Sequence, residues 1–117
     1  MAQPVEVVLT VRFFQTEPGN EPVRDWLGTL TAADKKTIGE DIKTVQIGWP
    51  LGMPLVRKMG KDLWEVRIHL HRRIARVMFT VVGDEMVLLH GFIKKSQDTP
   101  KEDLAVAKDR LSQLRKA

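Results

Sequence analysis

Two adjoining segments of this chain set arginines, a carboxylate and imidazoles at alternating positions of what read as β-strands. The first is Leu-Trp-Glu-Val-Arg-Ile-His-Leu, residues 63–70, followed by His71-Arg72-Arg73; the second is Ile74 to Val82. Side chains alternate across a strand. Trp64, Val66, Ile68 and Leu70 therefore share one face, and Glu65, Arg67, His69 and His71 share the other. In the second segment Ala75, Val77, Phe79 and Val81 form an apolar face and leave Arg76 opposite. Paired, the two strands gather two arginines, a carboxylate and one or two imidazoles on one open side of a sheet. A phosphodiester-handling site needs such an inventory: permanent cations for phosphate, and groups that move a proton near neutral pH.

The charge distribution points the same way. The 117 residues carry a net charge of +4. From Arg57 to Lys95 nine Lys/Arg face four Asp/Glu, a local +5, whereas the remainder sums to −1. The basic character thus sits on the strands and their approach loop, as an electrostatic footprint on a polyanion would. Apolar content of 43% and charged content of 29% fit a globular chain and exclude a disordered one. The length suits one domain, 1–117. With no cysteine, disulfides and thiolate metal sites are excluded and a cytoplasmic setting is expected. No signal peptide or bilayer-spanning run is read, so no membrane partner is expected.

The elements that must position these residues follow from periodicity. Val5–Phe13 alternates and is rich in β-branched residues, predicting a strand. Pro22 opens a short helix carrying Val23, Trp26 and Leu27. Thr31 is the expected N-cap of a second helix, with Asp34 in the capping-box position, Ile38, Ile42 and Val45 as its apolar stripe and Gly48 as C′. The two helices are expected to form a hairpin on the sheet. Leu55–Met59, the strand from Leu63, and strands at about 74–82 and 86–93 come next, the last apolar on both faces as a central strand is. Thr99 as N-cap, Pro100 at N1 and Glu102 then start a terminal helix with Leu104, Ala107, Leu111 and Leu114 on one stripe. The order β-α-α-β-β-β-β-α predicts an α+β domain with a mostly antiparallel sheet.

Several segments resemble a known family. Leu51-Gly-Met-Pro-Leu-Val-Arg-Lys58, Leu63-Trp-Glu-Val-Arg67, Arg76-Val-Met-Phe79 and above all His90-Gly-Phe-Ile-Lys-Lys-Ser-Gln-Asp-Thr-Pro100 resemble the RelE/ParE toxin superfamily, in its phage Gp49-like, HigB-type branch. The resemblance implies a RelE-like fold and the toxin of a type II toxin–antitoxin pair. Its expected activity is endoribonuclease cleavage of mRNA on the ribosome, and its expected partner a helix-turn-helix antitoxin. It also implies phosphate-binding or catalytic roles at Arg67 and Arg76 and a basic position at Lys94 and Lys95. The chain has no tyrosine, so the tyrosine that some ribonuclease members use has no counterpart here.

Such cleavage uses the neighbouring 2′-OH as nucleophile, which leaves the protein to take its proton, stabilise charge on phosphorus and protonate the 5′-oxygen. Arg67 and Arg76 suit charge stabilisation, since guanidinium stays charged and grips phosphate in a bidentate manner. His90 is the first candidate for proton transfer and Glu65 the second; Glu65 has the alternative role of orienting the arginines. Arg57, Lys58, Arg72, Arg73, Lys94 and Lys95 are the expected RNA contacts. No cofactor, small-molecule ligand or metal is expected, because His69 and His71 lack an obvious third ligand. The alternative functions are a ParE-like gyrase poison and an inactive phage-derived relative that binds only an antitoxin. Trp49 could stack on a base, though packing beneath the helix end is the simpler role.

Overall fold

A computed structural model describes residues 6–95 and 97–116. Its elements are β1 (Thr10–Phe13), α1 (Pro22–Gly28), α2 (Ala32–Gly48), β2 (Val56–Gly60), β3 (Leu63–Leu70), β4 (Arg73–Val82), β5 (Glu85–Lys94) and α3 (Lys101–Lys116). The five strands form one sheet in the order β1-β5-β4-β3-β2. β1 runs parallel to β5, and every other neighbouring pair is antiparallel. No helix among the described residues is long and apolar enough to cross a membrane.

The sheet is covered on both sides, which explains why its central strands are apolar in both directions. On one side Val66, Ile68, Ala75, Val77, Phe79, Met86 and Leu88 pack against Val23 of α1 and Ile38, Ile42 and Val45 of α2. On the other, Leu63, Met78, Val87, Leu89 and Phe92 meet Ala107 and Leu111 of α3. The apolar stripes of α2 and α3 are those their spacing predicts. Trp49 stacks edge-on against Trp64 and Phe79, with centroids 5.0 and 5.5 Å away, so it extends the first cluster.

Three boundaries differ from expectation for identifiable reasons. β1 starts at Thr10, and Val5 lies outside the described residues. The N–H groups of Val8 and Leu9 both donate to the Gln46 carbonyl at 2.8 and 3.0 Å, so α2 holds this segment until Thr10 reaches Asp84. Gly48 is the last residue of α2 rather than C′, and Trp49 caps the helix by donating to the Val45 carbonyl. α3 begins at Lys101, with Leu104 N–H donating to the Pro100 carbonyl. The Thr99 hydroxyl does not cap this helix, because it is turned into the sheet.

One irregularity bears on the site. The β4–β5 register shifts between Met78 and Phe79, which pair with His90 and Leu88, so Leu89 is the extra residue of a bulge. The shift breaks the two-residue alternation and lets both Leu89 and Phe92 face α3. Gly91 then points the other way, where a Cβ would overlap the Trp26 ring, so only glycine fits beside α1.

Candidate functional site

The polar residues of β3 and β4 meet on the α3 side of the sheet. Across the strands, Arg67 of β3 faces Arg76 of β4, which faces Phe92 of β5; in the next row Arg57 of β2 faces Glu65, then Met78 and His90. Two arginines side by side at a cross-strand position repel, and a buried carboxylate offsets this. Glu65 and Arg76 are both 0% exposed, and the Arg67 side chain is 13% exposed. Arg67 Nε lies 3.9 Å from Glu65 Oε1. That oxygen makes no hydrogen bond among the described residues. The Arg76 guanidinium also sits 5.9 Å from the centre of the Phe92 ring, a cation–π contact.

This face is therefore not the open one expected. The segment between β5 and α3 crosses it. Arg67 Nη2 donates to the Gln97 carbonyl at 2.7 Å and to Gln97 Oε1 at 3.0 Å. The Thr99 hydroxyl donates to Glu65 Oε2 at 2.6 Å and accepts from Arg76 Nη1 at 3.3 Å. Burial pushes the Arg76 guanidinium below its ordinary pKa; the Glu65 carboxylate opposes this, the Arg67 charge adds to it, and Asp98 and Arg57 act in the same opposing and adding senses. The group nevertheless stays charged.

His90 is also placed differently from a free base. Its Nε2 is 2.7 Å from Asp103 Oδ1, and its Nδ1 is 3.4 Å from Arg110 Nη1, which donates to the Leu89 carbonyl at 2.9 Å. Arginine can only donate, so the geometry suits the tautomer with its hydrogen on Nε2. Burial lowers the Arg110 pKa, with Asp109 opposing. His90 stacks on Phe92 at 5.6 Å, the same ring that makes the cation–π contact with Arg76.

The expected RNA contacts divide. Arg57 and Lys94 are exposed and rim the arginine pair on the same face, since Arg57 is opposite Glu65, and Lys94 is opposite Ile74, two residues before Arg76. Lys95 is exposed where the crossing segment begins. Lys58 pairs with Trp64 and so belongs to the other face. Arg72 is exposed at the β3–β4 turn, with φ of 57°. Arg73 is not a solvated contact: its guanidinium holds the Asp34 carboxylate with three hydrogen bonds of 3.1–3.2 Å, tying this turn to the start of α2. Among the described residues no group of three His, Asp or Glu side chains could hold a metal ion.

Sequence reasoning missed Gln97, Thr99, Asp103 and Arg110. Thr99-Pro100 carries a strong helix-start signal, and nothing in the spacing shows that the hydroxyl is diverted to Glu65. Asp103 and Arg110 both lie on the α3 face that meets β5, where their distances from the stripe residues Leu104 and Leu111 give only a faint signal.

No curated protein matches the chain. Residues 25–112 match the family described as phage-derived protein Gp49-like (DUF891). The matched span runs from within α1 into α3 and includes every residue of the arginine cluster and its covering segment. The chain belongs to the phage-derived Gp49-like family, which is a RelE/toxin-like family.

Proposed function

We propose that this protein is the toxin of a type II toxin–antitoxin pair and acts as an endoribonuclease on ribosome-bound mRNA. The observation that supports this reading best is Arg67 beside Arg76 over the buried Glu65, with Arg57 and Lys94 at the rim. Family membership is compatible with a toxin. In the reading, the RNA 2′-OH attacks its own phosphate and the two guanidinium groups stabilise the added charge on phosphorus. Glu65 Oε1, which makes no hydrogen bond among the described residues, accepts the 2′-OH proton. In the same reading His90, oriented by Asp103 and one strand further on, protonates the departing 5′-oxygen. A helix-turn-helix antitoxin would neutralise the protein by setting acidic side chains against Arg57, Lys94 and Lys95, giving a salt-sensitive association.

Expression without an antitoxin should arrest growth and reduce translation. Purified protein should cut a defined mRNA in a translating ribosome mixture and leave it intact without ribosomes. Arrest with intact mRNA and accumulating gyrase–DNA breaks would favour the gyrase reading. No arrest at all would favour a relative that only binds an antitoxin.

A further inference from the structure

The arginine cluster is already occupied by the chain itself. Arg67 is satisfied by two oxygens of one residue, the Gln97 carbonyl and Oε1, in the way one guanidinium nitrogen meets two acceptors of an anion. Arg76 is met by the Thr99 hydroxyl, which also spans to Glu65. Between these residues lies Asp98, exposed, with a charge that opposes the effect of burial on Arg76. Three consecutive residues thus bring an acceptor, a carboxylate and a second acceptor to the cations a phosphodiester would use. Glu65 and Arg76 are fully covered in this state, so a polynucleotide cannot touch them until something moves.

We propose that residues 97–99 form a strap that occupies the anion site as an internal stand-in for phosphate and is displaced by a phosphate-bearing chain. The inference rests on the reading of this face as a phosphate site. Displacement is favoured because phosphate offers guanidinium a full negative charge and a bidentate partner, where Gln97 and Thr99 offer neutral oxygens. It is not free, since affinity for an outside anion falls in proportion to the fraction of molecules with the strap open. The toxin-like site would then be held closed in the absence of substrate. The contacts described for Gln97 and Thr99 are made by three side chains of β3 and β4, so the closure can be weakened without touching those side chains.

The test compares the parent protein with Thr99→Val, which keeps the side-chain shape and removes both hydrogen bonds, and with Thr99→Ser, which keeps the hydroxyl. Binding of inorganic pyrophosphate is followed by calorimetry and binding of a short labelled oligouridylate by fluorescence anisotropy, after circular dichroism has shown each variant folded. Thr99→Val should bind both probes about five- to tenfold more tightly, the effect of losing one to two net hydrogen bonds from the closed state. Thr99→Ser should match the parent. Gln97→Ala, a milder change at an exposed position, should shift affinity the same way by about two- to threefold, and it serves if Thr99→Val does not fold. Oligouridylate should also speed amide hydrogen exchange in residues 97–99, whereas a ligand resting on a closed strap would slow it. Equal or weaker binding by the loosened variants overturns the strap. If they bind pyrophosphate more tightly but no variant binds oligouridylate, the strap stands and the RNA reading falls. If no variant binds either probe, both fall.

Discussion

Replacing Glu65 should destabilise this protein more than its hydrogen bond from Thr99 suggests. The carboxylate is 0% exposed, accepts from Thr99 at 2.6 Å and lies 3.9 Å from Arg67 Nε, while Arg76 beside it is also 0% exposed. Glu65→Leu removes the carboxylate that faces two guanidinium groups, only one of which has measurable exposure. Breaking a buried ion pair by deleting one partner costs about 3–5 kcal/mol. Glu65→Gln keeps the volume and an acceptor for Thr99 but loses the charge, so a smaller cost of about 1.5–3 kcal/mol is expected, the range for a hydrogen bond to a charged group. Urea unfolding followed by tryptophan fluorescence is the assay, since Trp64 adjoins Glu65 in β3 and packs on the core. With a slope of about 1–3 kcal/mol per molar urea, Glu65→Leu should lower the midpoint by roughly 1–5 M. The double variant Glu65→Leu with Arg76→Met should be less destabilised than the sum of the single changes, because an apolar pair replaces a buried cation that has lost the Glu65 carboxylate. A cost below about 0.5 kcal/mol for Glu65→Leu, the level of an ordinary surface change, or full additivity in the cycle, would refute the claim that Glu65 is what allows the arginines to be buried.

Other substitutions probe separate parts of the structure. Gly91→Ala forces a methyl into the Trp26 ring and should cost about 1–3 kcal/mol in thermal or urea unfolding; a neutral result would mean that α1 does not press on β5 as described. Arg73→Ala breaks a pair whose side chains are 35% and 15% exposed and should cost at most about 1 kcal/mol. It should leave oligouridylate binding unchanged, and a large loss of binding would return Arg73 to the RNA face. Asp41 has its pKa raised above the ordinary 3.8 by burial, aided by Glu40 and opposed by His69. The folded protein therefore holds this proton more tightly than the unfolded chain, and the group's contribution to stability falls as pH rises from 3.8 through its folded pKa. Asp41→Asn should raise the melting temperature at neutral pH, with the gain fading as pH falls through the folded pKa and gone by 3.8; a pH-independent effect would contradict the assignment.

The parts legible in the sequence were those with a repeating physical signal. The alternation in 63–82 places Glu65, Arg67 and Arg76 on one face, as found, and the helical spacing of Ile38, Ile42 and Val45 names the buried side of α2. Their environment was not legible, because alternation shows which face a residue takes and not what covers that face. Arg67 and Arg76 were expected on an open surface, yet Gln97 and Thr99 cover them through contacts 30 and 23 residues distant in the chain. A threonine before proline satisfies the local rule for a helix cap, while the Thr99 hydroxyl finds a stronger acceptor in the buried Glu65 carboxylate. A basic pair at a turn normally points to solvent, and the spacing around Arg73 does not show its partner because the Asp34 carboxylate lies on another element. Lys58 was grouped with Arg57 by adjacency, although neighbours in a strand point to opposite faces.

The most direct test of the proposed activity is a map of mRNA 5′ ends across the transcriptome after brief induction, with the parent protein and with Arg67→Lys. Lysine keeps the charge but loses the bidentate grip on phosphate, and Arg67 is the more accessible of the paired arginines, so the fold should survive the change. The account predicts new 5′ ends within translated reading frames for the parent, reduced by about 10²–10³ in cleavage rate for the variant, as for loss of one transition-state donor. Growth arrest with no new 5′ ends, or identical cleavage by both proteins, would contradict it.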